Sequence, residues 1–208
     1  MKYITLFENF GGLEPLNEDF IELKSIAKQL YSLLKRKGYE VELKENSKKS
    51  TYKGDTLAGT KGSKTYDKGG SVEIHQFPDT EEIGLFLPVS SVAYQFIVAP
   101  ENKDLIKAMV EKNKPGDYEK HPGTYQKNIE KNWSHIKDAI FGESGKIASL
   151  SDIQNDPEVK KFIGKLGSEL ISTIKSKSPN IRLATKDADT HFGLYFTEPR
   201  TRSGAVKK

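Results

Sequence analysis

Hydrophobic residues recur at three- and four-residue spacing from Asn17 to Lys37, which is the pattern of an amphipathic helix. Asn17 is a suitable N-cap residue, because its side chain can accept hydrogen bonds from the free backbone N–H groups of the first turn. Gly38 stands just beyond the predicted last turn, where a left-handed residue commonly ends a helix. The apolar stripe of this predicted helix consists of Phe20, Leu23, Ala27, Leu30 and Leu34.

Four segments that follow this helix have the composition of β-strands. Residues 39–44 alternate between apolar and charged side chains, as expected of a strand with one buried face. Residues 71–77 alternate in the same way, with Val72 and Ile74 on one face, and a Pro-Asp-Thr-Glu turn separates them from a third strand at 83–87. Residues 92–98 are densely apolar, which predicts a central strand.

In the second half of the chain the spacing of apolar residues changes to that of helices. Residues 101–113 and 125–140 each present one apolar face, and a connector with proline and glycine at 114–123 separates them. A third helix is predicted to begin at Asp156-Pro157, because aspartate caps a helix well and proline suits its first position.

Two short apolar segments, residues 181–185 and 192–196, predict the last strands. The predicted order is one helix, four strands, three helices and two strands. Grouped strands favour an α+β fold, with a mixed or mostly antiparallel sheet of about five to six strands and helices packed on one side. Residues 17–196 are expected to form this single domain, with 1–16 as a leader and hinge and 197–208 as a basic tail.

The composition excludes several functional classes. The chain has 208 residues and no cysteine, so it has no disulfide, no thiolate nucleophile and no cysteine-ligated metal. No apolar run approaches the roughly 18 residues that cross a bilayer, and the first residues lack the cleavage pattern of a secretory signal. Established catalytic motifs are missing from the sequence. We therefore predict no catalytic residue, no cofactor and no membrane partner, and we expect that the protein is not secreted.

The excess positive charge lies in residues 46–70, whose sequence is NSKKSTYKGDTLAGTKGSKTYDKGG. Six lysines and two aspartates give this segment a charge of +4, which equals the net charge of the whole chain. Glycines let a backbone approach a phosphate chain, lysines neutralise it and tyrosines stack on bases. The alternative interpretation is a long solvated hairpin loop between the first two strands. The candidate nucleic-acid contacts are Lys48, Lys49, Tyr52, Lys53, Lys61, Lys64, Tyr66 and Lys68.

A second candidate site lies in the sequence KDADTHF, before the last predicted strand. Side chains two residues apart point the same way in an extended chain, so Asp187, Asp189 and His191 would converge. Carboxylate oxygens and imidazole nitrogens bind divalent cations, and Glu73 and His75 of a neighbouring strand could complete the site. The alternative is a polar turn between the last two strands, where aspartate and threonine are common.

The N-terminal decamer, MKYITLFENF, has apolar residues at every third position and precedes Gly11-Gly12. This spacing predicts a short amphipathic helix ahead of a hinge. The alternative interpretation is a lead-in segment whose aromatic side chains dock on the core of the domain itself. The residues concerned in either case are Ile4, Leu6, Phe7, Glu8 and Phe10.

This decamer resembles the leader peptides of proteins encoded by large contractile-tailed bacteriophages. In that family the leader targets the chain to the assembling head, and a phage protease then cuts after a glutamate in a Leu/Ile-x-Glu context. Leu6-Phe7-Glu8 matches this context. The resemblance covers about ten residues, and it implies that the leader contacts a capsid or scaffold protein and that cleavage after Glu8 frees the domain.

The leading hypothesis from the sequence is therefore a non-enzymatic accessory or internal virion protein of a tailed bacteriophage, located in the host cytoplasm, the virion or both. One alternative is a nucleic-acid-binding module that contacts DNA or RNA through residues 46–70. A second alternative is a metal-dependent enzyme built on Asp187, Asp189 and His191. Salt-dependent nucleic-acid binding distinguishes the first alternative, and stabilisation by a divalent metal distinguishes the second.

Overall fold

The computed structural model describes residues 18–45, 71–126, 129, 131–142, 146–176, 178–187 and 190–197. Eight α-helices and five β-strands lie within these residues. The helices are α1 Glu18–Arg36, α2 Val89–Val98, α3 Lys103–Asn113, α4 Asp117–Lys120, α5 Pro122–Gln126, α6 Trp133–Phe141, α7 Leu150–Asn155 and α8 Pro157–Lys175. The strands are β1 Val41–Lys44, β2 Val72–Phe77, β3 Glu82–Pro88, β4 Arg182–Thr185 and β5 His191–Thr197. No helix of the described residues is both long and apolar enough to cross a membrane.

The five strands form one mixed sheet in the order β1-β2-β3-β5-β4, which confirms the predicted α+β fold class. The β2–β3, β3–β5 and β4–β5 pairs are antiparallel. The β1–β2 pair is parallel, with Val41 opposite Val72 and Lys44 opposite His75. Parallel neighbours cannot form a β-hairpin, so the predicted hairpin relation of these two strands is wrong, whereas residues 46–70 lie outside the described part of the chain.

One face of the sheet forms the core with the helices. The side chains of this face are almost fully buried, and they are Val72, Ile74, Ile83, Leu85, Leu87, Phe192, Leu194 and Phe196. Helices α1, α2 and α8 contact the strands, and their inward residues belong to the same hydrophobic cluster. From α1 these include Ile26, Leu30 and Leu34. Burial of this apolar surface is the main force that holds the layers together.

The opposite face of the sheet carries an aromatic layer formed by His75, Phe77, Phe86 and Tyr195. The Phe86 ring makes edge contacts with His75 at 5.2 Å and with Tyr195 at 5.6 Å between ring centroids. Gly84 lies beneath these rings, and a Cβ placed there would come within 2.7 Å of Phe77 and 2.8 Å of Phe86. The missing side chain of Gly84 therefore makes room for the aromatic layer.

The first helix ends as the sequence predicts. Gly38 adopts a left-handed conformation with φ of 86°. Its N–H donates to the carbonyl of Lys35 at 3.0 Å, and the N–H of Tyr39 donates to the carbonyl of Leu34 at 3.1 Å. This pair of bonds is a Schellman motif, which satisfies two of the carbonyls that a helix end leaves free.

The strand predicted at residues 92–98 is wrong, because these residues belong to helix α2. The helix begins three residues earlier than the predicted strand, directly after Pro88. Counted from Val89, the buried residues follow helical spacing, since Val92, Ala93, Phe96 and Ile97 are buried and lie on one side. A short apolar run does not distinguish a buried strand from a buried helix, and here packing against α7 and α8 decides it.

The region between α3 and α8 also differs from the prediction. The predicted helix at 125–140 is divided into α5 and α6, and the predicted connector at 114–123 contains α4. Helix α7 was not predicted, although a local signal was present. Ser149 accepts a hydrogen bond from the N–H of Asp152, whose carboxylate accepts one from the N–H of Ser149. This is the capping box, in which two free N–H groups at a helix start are satisfied reciprocally.

The third predicted helix begins where expected. The Asp156 carboxylate accepts hydrogen bonds from the N–H groups of Glu158 at 2.9 Å and Val159 at 3.1 Å, and Pro157 occupies the first position of α8. Two strands were also predicted near the C-terminus, and β4 and β5 confirm them.

Candidate functional site

Most of the residues predicted to contact ligands lie outside the described part of the chain. This applies to the leader residues Ile4, Leu6, Phe7, Glu8 and Phe10, and to all eight candidate nucleic-acid contacts between Lys48 and Lys68. The virion-protein hypothesis and the role of segment 46–70 therefore stay predictions.

The predicted metal site is described in part. Asp187 is exposed, His191 begins β5, and Asp189 lies outside the described residues. The N–H of Lys186 donates to the carbonyl of Gly193 at 2.9 Å, so residues 186–190 join two antiparallel strands. Among the described residues no group of three histidine, aspartate or glutamate side chains is placed to hold a metal ion. The site with Asp189 stays a prediction.

Glu73 and His75 contact each other, and His191 lies within the field of the same carboxylate. The Glu73 Oε2 is 2.7 Å from His75 Nε2, and this hydrogen bond lowers the pKa of Glu73 against the opposing effect of burial. Burial lowers the pKa of His191, and the Glu73 charge acts in the opposite direction. Glu73 and His75, which the sequence suggested as metal ligands, are thus hydrogen-bonded to each other, and His75 is also part of the aromatic layer.

A groove between α1 and α8 has a clear preference for negative charge. It is lined by Ser25, Lys28, Gln29, Ser32, Leu33, Arg36 and Thr173, and we call it the basic groove. Its lining contains two cations and no carboxylate. Lys28 and Arg36 are exposed, and no carboxylate of the described residues forms an ion pair with either. Both charges therefore face solvent and are available to an anion.

Two of the three hydroxyl groups that line the basic groove, those of Ser32 and Thr173, are already used as donors. Ser32 Oγ donates to the carbonyl of Lys28 at 3.0 Å, and Thr173 Oγ1 donates to the carbonyl of Glu169 at 3.0 Å. Such bonds to the preceding turn leave the hydroxyl oxygens as acceptors only. The charged groups that can donate to an anion are the ammonium of Lys28 and the guanidinium of Arg36, which is suited to bidentate contacts with phosphate.

The basic character of this groove has its origin in the sequence of α1. From Leu23 to Tyr39 the chain contains five cations and no acidic residue. Three of these cations, Lys35, Arg36 and Lys37, lie at the C-terminal end of the helix, where they interact favourably with the helix dipole. Because this interaction explains their presence, the charge by itself did not predict a binding site. Helical spacing places Lys28 and Arg36 on one side of α1, and the packing of α8, which contributes Thr173, completes the lining of the groove.

The basic groove lies beside the point at which the lysine-rich segment begins. Lys24 Nζ is 3.6 Å from Glu45 Oε1, and Glu45 is the last described residue before segment 46–70. Lys24 precedes Lys28 by one helical turn. Glu45 is therefore close to the N-terminal end of the groove.

Comparisons of the chain with protein-family models, curated proteins and solved structures find no match. The function is therefore inferred from the chemistry of these surfaces.

Proposed function

We propose that this protein binds nucleic acid, DNA or RNA, through a basic surface that combines the basic groove with segment 46–70. The observation that carries the proposal is the groove itself, which Lys28 and Arg36 line and in which no carboxylate of the described residues forms an ion pair with either. The chain is neutral in sum outside segment 46–70, and Lys28 lies one helical turn from Lys24, which pairs with Glu45, the last described residue before that segment.

The spacing of the two cations suits a phosphate chain. Lys28 and Arg36 are eight residues apart on one helix, which corresponds to about 12 Å along its axis. Contacts of this kind are to phosphates and not to base edges, so we expect binding with little sequence preference. The binding constant should fall steeply with salt, because each neutralised phosphate releases a counterion and contributes about −0.9 to the slope of log K against log salt.

The test is a salt titration with the full chain. Fluorescence anisotropy measures binding to a labelled duplex and to a labelled single strand, for the natural protein and for the double variant Lys28→Gln/Arg36→Gln. We expect the double variant to bind more weakly and to show a salt slope smaller by about one to two units, because two phosphate contacts are lost.

The matched control removes the same charge elsewhere. Lys103→Gln/Lys112→Gln changes two exposed cations of α3 and lowers the net charge equally. If binding depends on this particular basic surface, the control variant should show the same slope of log K against log salt as the natural protein. Replacement of the six lysines of segment 46–70 by glutamine should weaken binding further. The proposal is wrong if the natural protein does not bind at low salt, or if the α3 control loses as much affinity as the groove variant.

A further inference from the structure

A pocket of about 240 Å³ lies between the end of α1, the end of α2 and the middle of α8. We call it the α8 pocket. The pocket and the basic groove share no lining residue, although Lys37 of the pocket and Arg36 of the groove are neighbours in the sequence. Its walls include the apolar side chains of Val98, Pro100 and Phe162. Sites for drug-sized ligands occupy roughly 300–1,000 Å³, so this pocket suits a smaller molecule.

The mouth of the α8 pocket carries charges that alternate in sign. Lys37 Nζ is 2.5 Å from Glu169 Oε2, and Lys165 Nζ is 3.8 Å from Glu101 Oε1. Lys165 and Glu169 are four residues apart on α8 and therefore occupy the same face of the helix. The order around the mouth is positive, negative, positive, negative.

These ion pairs can be exchanged for the charges of a ligand. The four side chains are between 39% and 64% exposed, and ion pairs with this exposure contribute little to stability. A molecule with both an ammonium and a carboxylate could therefore bind one glutamate and one lysine at small loss. A molecule with only one charge would leave the opposite charge of the mouth without compensation.

Tyr39 supplies an independent observation at the wall of the same pocket. Its side chain is 5% exposed, and its hydroxyl has no hydrogen-bond partner among the described residues. Buried hydroxyl groups are normally hydrogen-bonded. Beside Tyr39, the Gln95 side chain donates from Nε2 to the carbonyl of Gly38 at 3.1 Å and leaves its carbonyl oxygen for a donor. A ligand with both donors and acceptors would match these two groups.

We propose that the α8 pocket binds a small zwitterion with an apolar body, of the class of a free α-amino acid with an aliphatic or aromatic side chain. The ammonium lies at Glu169 or Glu101, and the carboxylate lies at Lys37 or Lys165. The apolar body packs between Phe162 and the walls at Val98 and Pro100. None of the residues that line this pocket lines the basic groove, so either proposal can fail alone.

The test is isothermal titration calorimetry of the full chain with a set of matched compounds. L-Phenylalanine and L-leucine should bind saturably. N-Acetyl-L-phenylalanine lacks the ammonium, L-phenylalaninamide lacks the carboxylate, and L-serine lacks the apolar body. Each of these three should bind about tenfold more weakly or worse, because a site built for a polar group leaves its own groups unpaired when that group is missing.

Two variants connect the binding to this pocket. Glu169→Gln removes one charge of the mouth, and Phe162→Ala removes part of the apolar wall, and both should weaken binding of L-phenylalanine. Lys161→Gln is the matched control, since Lys161 is exposed on α8 and does not line the pocket. Thermal unfolding shows whether each variant is folded, and the exposed position of Glu169 keeps the test valid if Phe162→Ala does not fold.

Three outcomes would overturn the proposal. The first is no saturable binding of either amino acid, and the second is an equal loss of affinity in the control variant. The third is binding of one blocked form as tightly as the free amino acid, which would show that only one of the two charges is recognised, as for the terminus of a peptide. The groove variant Lys28→Gln/Arg36→Gln should retain binding of L-phenylalanine, which separates this site from the nucleic-acid surface.

Discussion

The Asp117 carboxylate and the His135 imidazole are 2.8 Å apart and connect α4 to α6. The same carboxylate oxygen accepts a hydrogen bond from the Tyr125 hydroxyl of α5. The Tyr125 ring stacks on Tyr118 with 5.1 Å between ring centroids. Burial raises the pKa of Asp117, but the hydrogen bonds from Tyr125 and His135 outweigh it and hold this pKa below its ordinary value. One carboxylate therefore joins three short helices.

Replacement of Asp117 by asparagine should destabilise the protein by about 1–2 kcal/mol, since hydrogen bonds to a charged group are lost at a partly exposed position. The measurement is the free energy of unfolding from urea denaturation at pH 7. Asp104→Asn is the control, because Asp104 is exposed in the first turn of α3. An equal change in the two variants would show that the network around Asp117 contributes nothing specific.

The Glu73–His75 pair predicts a defined dependence of stability on pH. The hydrogen bond from His75 lowers the pKa of Glu73 below its ordinary value of 4.5 in the folded state. A carboxylate of this kind stabilises the fold above its unfolded pKa, and the contribution is lost as the pH falls through the lower folded pKa. Glu73→Gln should therefore be less stable than the natural protein by about 1–2 kcal/mol at pH 7.

The difference between the natural protein and Glu73→Gln should shrink as the pH falls below 4.5. Urea denaturation over a pH series measures it. Glu40→Gln, at an exposed position, should show no such trend. A difference that grows on acidification would contradict the assigned direction of the pKa shift.

Two glycines should respond in opposite ways to alanine. At Gly84 a Cβ would come within 2.7 Å of Phe77, so Gly84→Ala should destabilise the protein by about 1–3 kcal/mol through overpacking. At Gly164, in the middle of α8, a Cβ would meet nothing within 4 Å. Gly164→Ala should stabilise the protein by up to about 1 kcal/mol, because alanine favours the helix. Thermal unfolding of both variants measures these changes. A Gly84→Ala variant as stable as the natural protein would contradict the close packing of the aromatic layer.

Two tyrosines provide a similar contrast. The Tyr39 hydroxyl has no hydrogen-bond partner among the described residues, so Tyr39→Phe should be neutral or more stable by about 1 kcal/mol. The Tyr125 hydroxyl donates to Asp117, so Tyr125→Phe should lose about 1 kcal/mol. Chemical denaturation of both variants measures the difference. A clear loss of stability in Tyr39→Phe would show that this hydroxyl has a partner.

Much of the fold was predictable where local chemistry determines an element. The C-terminal end of α1 and the start of α8 depend on Gly38 and Asp156, whose effects reach only a few residues along the chain. The capping box at Ser149 belongs to the same class, and it marks the start of the helix that the hydrophobic pattern missed. Alternation in β2 also placed His75 and Val72 on opposite faces of the sheet.

The predictions were wrong where packing between segments that are distant in the sequence determines the structure. The apolar run of α2 is compatible with a strand until its contacts with α7 and α8 are known. In the same way, the hydrophobic pattern of β1 and β2 does not encode their relative direction. Their parallel pairing, which excludes a hairpin, is a property of the sheet as a whole.

The sequence by itself determined the fold class, the caps of its main helices and the concentration of positive charge in residues 46–70, because each depends on neighbours along the chain. The tertiary structure alone decided which charges meet. Lys37 and Glu169 pair across 132 positions of sequence, and Lys28 and Thr173 line one groove although they belong to different helices. Such contacts depend on how helices pack, and packing joins residues whose separation in sequence leaves no local pattern.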